Sequence, residues 1–313
     1  MSFIKGFMGT CANISVVIIS FNCWELLNAC LKSIYSSDSA CKEIIVIDNN
    51  SVDETCENLR KYYPEVRIIE NDSNVGHTRA VNQGCRISSG KHILLLDADT
   101  EVSKDCVRVL AVFLESHPDV SVVAPKTFLA DGTLQNSAKN FPAPINGIFG
   151  RQSLLTRLFP GNVFSKRYLA LTKCDMKQAI KVEHVSAACM LFRRDVFEKV
   201  GEWDEGFHSY WVDADWCKRI QVAGGQIYYV PNAVITHHEQ NSRSMKKSPF
   251  RIIKFHTGCF RFYSKHYTRG RRDPRRVFAA GLLAARALIL LSVNSIRRSS
   301  RSRVDPLTFQ KKG

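Results

Sequence analysis

The sequence predicts an α/β fold with a mostly parallel sheet and flanking helices, followed by a basic, apolar C-terminal helical tail. Strand-like and helix-like segments alternate from residue 13 to 125, which is typical of βαβ crossovers. The strand-like runs are almost entirely apolar, as in strands that are buried on both faces. The tail is indicated by the charge distribution, because the excess of positive charge lies after residue 240.

Nine elements are predicted in the first 125 residues. The strands are expected at 14–19, 43–47, 66–69, 93–96 and 120–123, and the helices at 24–35, 53–63, 75–87 and 104–117. Helices of about a dozen residues between such strands place consecutive strands in parallel. Gly84 falls inside the third helix, where a glycine indicates close packing against a neighbouring element.

The alternation is lost between residues 126 and 182, where Gly, Pro and Asn recur. We interpret this stretch as an irregular, acceptor-facing region without a core of its own. Regular elements return afterwards: a strand at 183–192, helices at 194–200 and 213–223, and short strands at 226–230 and 233–235. The chain is therefore divided into a domain at 13–242 and a basic helical region at 243–313.

The charge and the cysteines bear on partners and on location. Residues 1–240 hold 25 Lys and Arg against 27 Asp and Glu, whereas residues 241–313 hold 19 against two. Such a tail indicates an anionic partner, either membrane lipid or nucleic acid. The 11 cysteines show no C-x-x-C pair, and the first 13 residues do not form a signal peptide. We expect reduced thiols and a cytoplasmic protein.

One tail segment is long enough to meet a membrane. Residues 277–296 are mostly apolar, but Arg286 interrupts them, and arginines flank both ends. The length matches a bilayer span, although a central arginine would be costly there. Basic residues on both sides give no one-sided orientation signal. We favour an interfacial or re-entrant helix on an anionic leaflet; a soluble capping helix and a true span are the alternatives.

Asp97 and Asp99 directly follow the apolar run 93–96. Ligands of open α/β sheets bind beyond the carboxyl ends of the strands. Two carboxylates so close together favour a cation that neutralises them. This pattern indicates a divalent metal that also holds a substrate diphosphate. The alternative is a strand that runs into a solvated acidic turn.

Two further segments are candidate binding sites for a nucleotide. Asp48, followed closely by Asn50, ends the second predicted strand, where these polar groups can contact a base or a ribose. Asp53 is assigned to capping of the next helix. The third helix is preceded by Asn74 and Gly76 and contains Arg79. Backbone amides at that helix start can approach a phosphate, although Gly76 could also mark a simple turn.

A second acidic segment precedes and opens the predicted helix at 213. Asp213 could act as a general base that takes a proton from an attacking hydroxyl, or it could only cap the helix. His237, after the strand-like run 233–235, offers an imidazole as a third metal ligand. The acceptor-side candidates of this segment are Trp203, Asp204, Glu205 and Asp215.

Together these segments resemble the family 2 glycosyltransferases, most closely their bacterial rhamnosyltransferase-like branch, from about residue 14 to 242. The matching motifs stand in the family's order: Ser20-Phe21-Asn22, Asp48-Asn49-Asn50-Ser51, Asn74 to Gly84, Asp97-Ala98-Asp99-Thr100, Asp131 to Gln135, Arg193 to Phe197, Gly201 to Glu205, Asp213 with Asp215, and Pro231 to His238. An ordered series of this kind is far more specific than any single motif.

The resemblance implies a glycosyltransferase-A fold, which is Rossmann-like, and an inverting transfer from a nucleotide-sugar. It also assigns roles by position. Asp213 would be the base, and Asp99 would bind Mg²⁺ or Mn²⁺ with Asp97 and His237. The nucleotide-sugar would be held by Asp48, Asn50, Asn74, Gly76, Arg79 and Asp97. The chain departs from the family at Asp97, where Asn-Pro-Asp-Thr is common, and at Val212, which is usually acidic; we expect a base in an altered environment.

The function expected from these observations is transfer of a sugar, with rhamnose from dTDP-rhamnose as the first choice. The acceptor would be lipid-linked or a polysaccharide in cell-surface glycan synthesis, at the inner face of the membrane. One alternative is a nucleic-acid-binding protein that uses the basic tail. We expect no nucleic-acid partner, because the basic residues accompany an apolar stretch and no recognised binding module. Another alternative is a non-catalytic nucleotide-sugar binder.

Overall fold

The computed structural model describes residues 13–38, 41–141, 178–208, 210–239 and 248–302. Within these ranges the strands are β1 (Ile14–Ser20), β2 (Glu43–Asp48), β3 (Arg67–Glu70), β4 (His92–Asp97), β5 (Thr100–Val102), β6 (Val120–Leu129), β7 (Leu134–Gln135), β8 (Ala138–Lys139), β9 (Ile180–Lys181), β10 (His184–Val185), β11 (Cys189–Arg193) and β12 (Gln226–His237). The helices are α1 (Trp24–Tyr35), α2 (Thr55–Tyr62), α3 (His77–Ile87), α4 (Cys106–Ser116), α5 (Arg194–Val200), α6 (Val212–Val222), α7 (Pro249–Tyr267) and α8 (Pro274–Ser302).

One large sheet runs through the protein in the order β3-β2-β1-β4-β11-β6-β12-β5. Strands β1 to β4 are parallel, and β12 is parallel to β6. Strand β11 is inserted antiparallel between β4 and β6, and β5 is antiparallel to β12. This is a glycosyltransferase-A-like fold with a mixed, mostly parallel sheet and flanking helices, as predicted.

The apolar strands are explained by a hydrophobic layer on each face of the sheet. Successive side chains of a strand point to opposite faces. Val16 and Ile18 of β1 therefore pack in the layer that contains α1 and α4. Val17 and Ile19 pack in the other layer, with α3 and α6. Because both faces are covered, every residue of β1 is buried.

Four predicted strands differ from the observed ones by more than one residue at an end. The predicted strand at 183–192 is divided into β10 and β11, and the predicted strand at 120–123 extends to Leu129. The two short strands at 226–230 and 233–235 are one strand, β12, with a shift of register between Val230 and Val234. Pro231 lies in this shift and has no N–H to give to the ladder, which favours an irregularity there. Of the region 126–182, residues 142–177 lie outside the described part.

Gly84 confirms the expected close packing. A Cβ atom at this position of α3 would lie 2.3 Å from Cγ1 of Val17. We therefore expect Gly84→Ala to lower the free energy of unfolding by about 1–3 kcal/mol, because the core must shift. Urea unfolding measures this change. Gly281→Ala in α8 is the control, since no described atom lies within 4 Å of its Cβ position. An unchanged urea midpoint for Gly84→Ala would contradict the packing.

The tail forms two helices that pack against each other. The guanidinium of Arg276 in α8 lies 5.3 Å from the centre of the Phe260 ring in α7. Helix α8 is longer than the predicted segment 277–296 and contains it. Its part Pro274–Ser295 is long and apolar enough to cross a membrane by length and composition. The sequence prediction of an apolar helix here is confirmed, and its relation to a membrane is taken up below.

Candidate active site

The antiparallel pair of β5 and β12 brings distant parts of the chain together. Asp97 is the last residue of β4, and Asp99 stands directly before β5. In the pairing of β5 with β12, His237 is opposite Thr100. The N–H of His238 also donates to the carbonyl of Asp99 at 2.8 Å. A histidine near residue 240 is thereby fixed beside the two aspartates at the carboxyl end of β4.

Asp97, Asp99 and His237 form a group that fits a divalent cation. One ligand atom of each residue lies within 4.8 Å of those of the others. His237 Nε2 stands 3.1 Å from Asp99 Oδ1. Its Nδ1 lies 3.0 Å from Oε1 of Gln135, so a proton on Nδ1 leaves Nε2 free to bind a metal. Two carboxylates and one imidazole are a suitable donor set for Mn²⁺ or Mg²⁺.

His77 is a fourth member of this cluster, at the start of α3. Its Nε2 lies 3.2 Å from Oδ1 of Asp97. Burial raises the pKa of Asp97, but the hydrogen bond and the charge of His77 outweigh burial and lower it. Burial lowers the pKa of His77, and the Asp97 contact reverses this and raises it. The hydrogen bond to His77 thus favours the ionised form of the Asp97 carboxyl, which is the form that binds a cation.

Asp213 is the second residue of α6 and is half-buried. Its Oδ1 accepts the N–H of Ala214 at 2.8 Å. Burial raises the pKa of this carboxyl above its usual range, although the charge of Lys139 and backbone N–H groups act in the opposite direction. The N-cap of α6 is Trp211 and no described side chain makes a capping hydrogen bond there, so Asp213 is not the cap that the alternative supposed, although its negative charge lies in the first turn. Its raised pKa is also suited to a general base.

The predicted nucleotide-binding loop after β2 is ordered by its own aspartate. Asp48 is buried, and its carboxylate accepts the N–H of Ser51 at 2.7 Å and the hydroxyl of Ser51 at 2.6 Å. Asn50 is exposed and has a positive φ of 68°. Asp53 accepts the N–H of Thr55 at 3.2 Å. It stands one residue before the observed N-cap of α2, Glu54. Asn50 is therefore an exposed polar side chain of this loop, next to the buried Asp48 and Asn49.

The segment before α3 is open on one side. Gly76 has φ +86°, and no described atom lies within 4 Å of its Cβ position. Its N–H donates to Oδ1 of Asn74 at 3.0 Å. Arg79 is directed elsewhere, because its Nε stands 3.0 Å from Oε2 of Glu205. The structure thus places Gly76 at open space and engages Arg79 in an ion pair.

The four acceptor-side candidates are engaged by other protein groups. Trp203 is buried, and its backbone exchanges two hydrogen bonds with Asn82, both of 2.9 Å. Asp204 is paired with two basic groups of α7, and Glu205 with Arg79. Asp215 is fully buried among three basic side chains. These residues form a joint between α3, α6 and α7.

Two members of the site have no role in the sequence-based prediction. His77 and Gln135 both lie within matched motifs, but neither was assigned a function. His77 contacts Asp97 and Gln135 contacts His237, so each lies beside a metal-ligand candidate. The available sequence signal was that both are polar residues inside matched motifs. Polar residues of this kind commonly hydrogen-bond to metal ligands and orient them.

Comparison with known proteins identifies the family. A family model described as glycosyl transferase family 2 matches residues 15–201. The N-acetylglucosaminyl-diphospho-decaprenol L-rhamnosyltransferase of Mycobacterium tuberculosis is 25% identical over 300 residues, which cover 92% of this chain and 96% of that protein. The low-salt glycan biosynthesis hexosyltransferase Agl10 of Haloferax volcanii is 26% identical over 213 residues, or 66% of this chain and 61% of that protein.

Solved structures show the same fold at low identity. The mannosyltransferase PcManGT of Pyrobaculum calidifontis, in complex with GDP-Man and Mn²⁺, has a TM-score of 0.55 at 16% identity. It is matched over 94% of this chain and 76% of its own. GalNAc-T7 with UDP, GalNAc and Mn²⁺ has a TM-score of 0.54 at 16% identity, over 72% of this chain and 43% of its own.

Proposed function

The chain belongs to glycosyl transferase family 2, and from this we propose that it is a metal-dependent, inverting transferase that acts on a lipid-linked acceptor. The observation that carries the proposal is the group formed by Asp97, Asp99 and His237 at the carboxyl end of β4. Two matched solved structures contain Mn²⁺ with a nucleotide or nucleotide-sugar. Because both structures are only 16% identical to this chain, they support the fold alone. The support for the metal is the set of donor atoms on Asp97, Asp99 and His237.

In the proposed reaction each group has a separate task. Asp99, Asp97 and His237 would hold Mg²⁺ or Mn²⁺, which would stabilise the charge of a departing diphosphate. Asp213 takes the proton of the acceptor hydroxyl, so that the oxygen attacks the anomeric carbon in line with the leaving group. Asp48 fixes the loop that carries Asn50 towards the nucleotide.

The remaining nucleotide contacts belong to the start of α3. Backbone N–H groups at a helix N-terminus suit phosphate oxygens, and Gly76, with Asn74, leaves space for such an approach. We assign Arg79 to the same side of the site, where its ion pair with Glu205 would have to open for it to reach a phosphate.

For the sugar and acceptor we propose rhamnose from dTDP-rhamnose and a polyprenyl-diphosphate-linked glycan. The support is the mycobacterial relative, whose name gives this sugar and this kind of acceptor and which matches over 96% of its length. We place the enzyme at the cytoplasmic face of the membrane. None of the nine cysteines in the described part forms a disulfide, which agrees with a reducing compartment.

The test of this function is a transfer assay with the full chain. The purified protein is incubated with Mn²⁺, a synthetic polyprenyl-diphospho-N-acetylglucosamine and, separately, dTDP-rhamnose and UDP- and GDP-sugars. We expect mass spectrometry to show one added deoxyhexose with dTDP-rhamnose, and EDTA to abolish the addition. A different productive donor would overturn rhamnose alone, whereas no transfer from any donor would overturn the function.

We also propose that helix α8 lies on an anionic membrane surface. One stripe of α8 is exposed and apolar, with Val277, Phe278, Leu288 and Ile289 all at least 64% exposed. Arg271, Arg272 and Arg275 stand exposed before it. An amphipathic helix with basic residues at its end is suited to the headgroup region of anionic lipid.

The contacts of α7 favour a surface position over a span. Arg286, in the middle of α8, is half-buried and lies near His256 of α7. Burial lowers the pKa of His256, and the positive charge of Arg286 lowers it further. Helix α7 is in turn tied to the sheet domain through ion pairs of Arg261 and Lys265 with Asp204. A spanning α8 would leave α7 or draw these charges towards hydrocarbon, which is costly.

We expect the full chain to sediment with vesicles that contain phosphatidylglycerol and not with phosphatidylcholine alone. The double variant Leu288→Asn/Ile289→Asn should bind at least about tenfold more weakly, because two large apolar side chains are lost from the contact. Val52→Asn/Val222→Asn is the control, since these valines are exposed on the sheet domain at 85% and 78%. Equal binding of both double variants would contradict the surface contact, and resistance to alkaline carbonate would indicate a span.

A further inference from the structure

Helix α7 contacts the start of α6, the helix that carries Asp213. The two helices come together at Gly258 of α7. A Cβ atom there would lie 2.8 Å from the carbonyl oxygen of Tyr210 and 3.1 Å from Cδ1 of Trp211. Only a glycine permits this approach without a shift of the backbone, because real Cβ atoms do not come so close to a carbonyl oxygen.

Trp211 is the residue against which the aromatic side chains of α7 pack. It precedes α6 as its N-cap and has φ +75°, a left-handed conformation that is uncommon and strained for a bulky side chain. Its ring lies between two rings of α7, 5.5 Å from Phe255 and 5.4 Å from Phe262 by centroid. A strained residue persists where its surroundings hold it, and here α7 supplies the surroundings.

An ionic contact also joins the first turn of α6 to α7. Asp215 is fully buried, and its carboxylate lies 2.9 Å from Lys265 Nζ and 2.7 Å from His266 Nε2. Arg219 of α6 adds a third contact at 3.0 Å. Lys265 also donates to Asp204 at 2.8 Å. A buried carboxylate with these partners is costly to leave unpaired, so α6 cannot move independently of α7.

We infer that α7 is a positioning element for the catalytic base, with Gly258 and Lys265 as its positioning residues. The inference rests on the proposed role of Asp213, which lies between the two held positions, two residues after Trp211 and two before Asp215. Neither positioning residue touches substrate. They set the distance between the Asp213 carboxylate and the acceptor hydroxyl, to which the rate of proton transfer is sensitive.

The basic tail thereby has a second role, inside the protein. The basic region at 243–313 was predicted as a membrane-associating segment alone. Lys265 belongs to its positive charge, yet Lys265 and the neighbouring His266 are both directed into the sheet domain at Asp215. Part of the basic charge therefore neutralises interior carboxylates next to the base, and only the remainder is available to lipid.

The test compares two glycine variants of the tail. In Gly258→Ala we expect kcat for transfer to fall about tenfold, because a small displacement of the base costs rate. The Kd of dTDP with Mn²⁺, from calorimetry, should stay within about twofold, since the metal site is not touched. Gly281→Ala, with no described atom within 4 Å of its Cβ position, should match wild type in both. Hydrogen exchange should accelerate at residues 210–217 and stay unchanged at 14–20 and 92–97 in Gly258→Ala only.

A second pair keeps the test valid if Gly258→Ala does not fold. Lys265→Met should lower kcat at constant dTDP affinity, and Lys265→Arg should recover most of it, because a guanidinium can also bridge two carboxylates. Loosened exchange at 210–217 with unchanged kcat would overturn the inference, as would a parallel loss of dTDP affinity. If wild type transfers no sugar, the proposed function fails. Hydrogen exchange at 210–217 that is unchanged in the α7 variants would then show, independently of activity, that α7 does not hold α6.

Discussion

Asp213→Asn is expected to lower kcat for sugar transfer about 10³-fold, the range of a lost general base. The amide cannot accept the proton of the acceptor hydroxyl, although it has nearly the same size. The proposed metal ligands lie at the ends of β4 and β12 and directly before β5, and the proposed nucleotide contacts lie after β2 and around the start of α3, so none of them is on α6. The Kd of dTDP with Mn²⁺ should therefore remain unchanged. Single-turnover transfer and calorimetry on the same preparation measure both quantities.

Asp195→Asn is the matched control for this prediction. Asp195 is also the second residue of a helix, α5, and is exposed. It therefore reproduces the loss of a negative charge near a helix N-terminus, without a role in the site. Wild-type turnover in Asp213→Asn, or an equal loss in Asp195→Asn, would remove Asp213 from the role of base.

The pH dependence of wild type should show the same group. Burial raises the pKa of Asp213 above its usual range, against the opposing effect of Lys139. Because the base must be ionised, kcat/KM should fall as the pH is lowered through that raised pKa and should be constant above it. This acid limb should be absent from the residual rate of Asp213→Asn.

Asp99→Asn is expected to abolish the response of the protein to Mn²⁺ and to lower transfer about 10³-fold or more, a loss of about 4 kcal/mol in transition-state stabilisation. An amide is a weaker ligand than a carboxylate and leaves one negative charge fewer against the cation. In contrast to Asp213→Asn, this variant should also lose affinity for dTDP in the presence of Mn²⁺. The two variants thus separate binding from chemistry.

Asp119→Asn is the control for the metal ligand. Asp119 is exposed, directly before β6, at the end of the sheet opposite to the carboxyl end of β4. Its removal changes the net charge by the same amount as Asp99→Asn but leaves the site intact. Mn²⁺-dependent dTDP binding that survives in Asp99→Asn would mean that the cation is held elsewhere.

The parallel half of the fold could be predicted because its signals are local. The strands β1, β2 and β4 are mostly apolar runs next to a helix with apolar periodicity, and α1 was predicted with its observed bounds, 24–35. Strand β11 could not be placed in the same way. Its five residues are as apolar as those of a parallel strand, and nothing in them encodes that it runs antiparallel between β4 and β6.

The site was predicted unequally for a similar reason. Asp97, Asp99 and His237 carry chemistry in their residue types and stand in recognisable motifs, so their association could be expected. The role of Asp215 could not, since its partners Lys265 and His266 look like any basic residues of a charged tail. Their significance depends on the docking of α7, which brings together residues 50 and 51 positions apart.

The measurement that tests the metal-dependent donor site most directly is a thermal shift of wild type with dTDP-, UDP- and GDP-sugars, each with and without Mn²⁺. A donor at about a hundred times its Kd should stabilise the protein by roughly 2.7 kcal/mol. We predict stabilisation by one nucleotide class, dTDP first, that requires Mn²⁺ and disappears in Asp99→Asn. Folded protein that responds to no donor, or responds equally without metal, would contradict a donor site built on Asp97, Asp99 and His237.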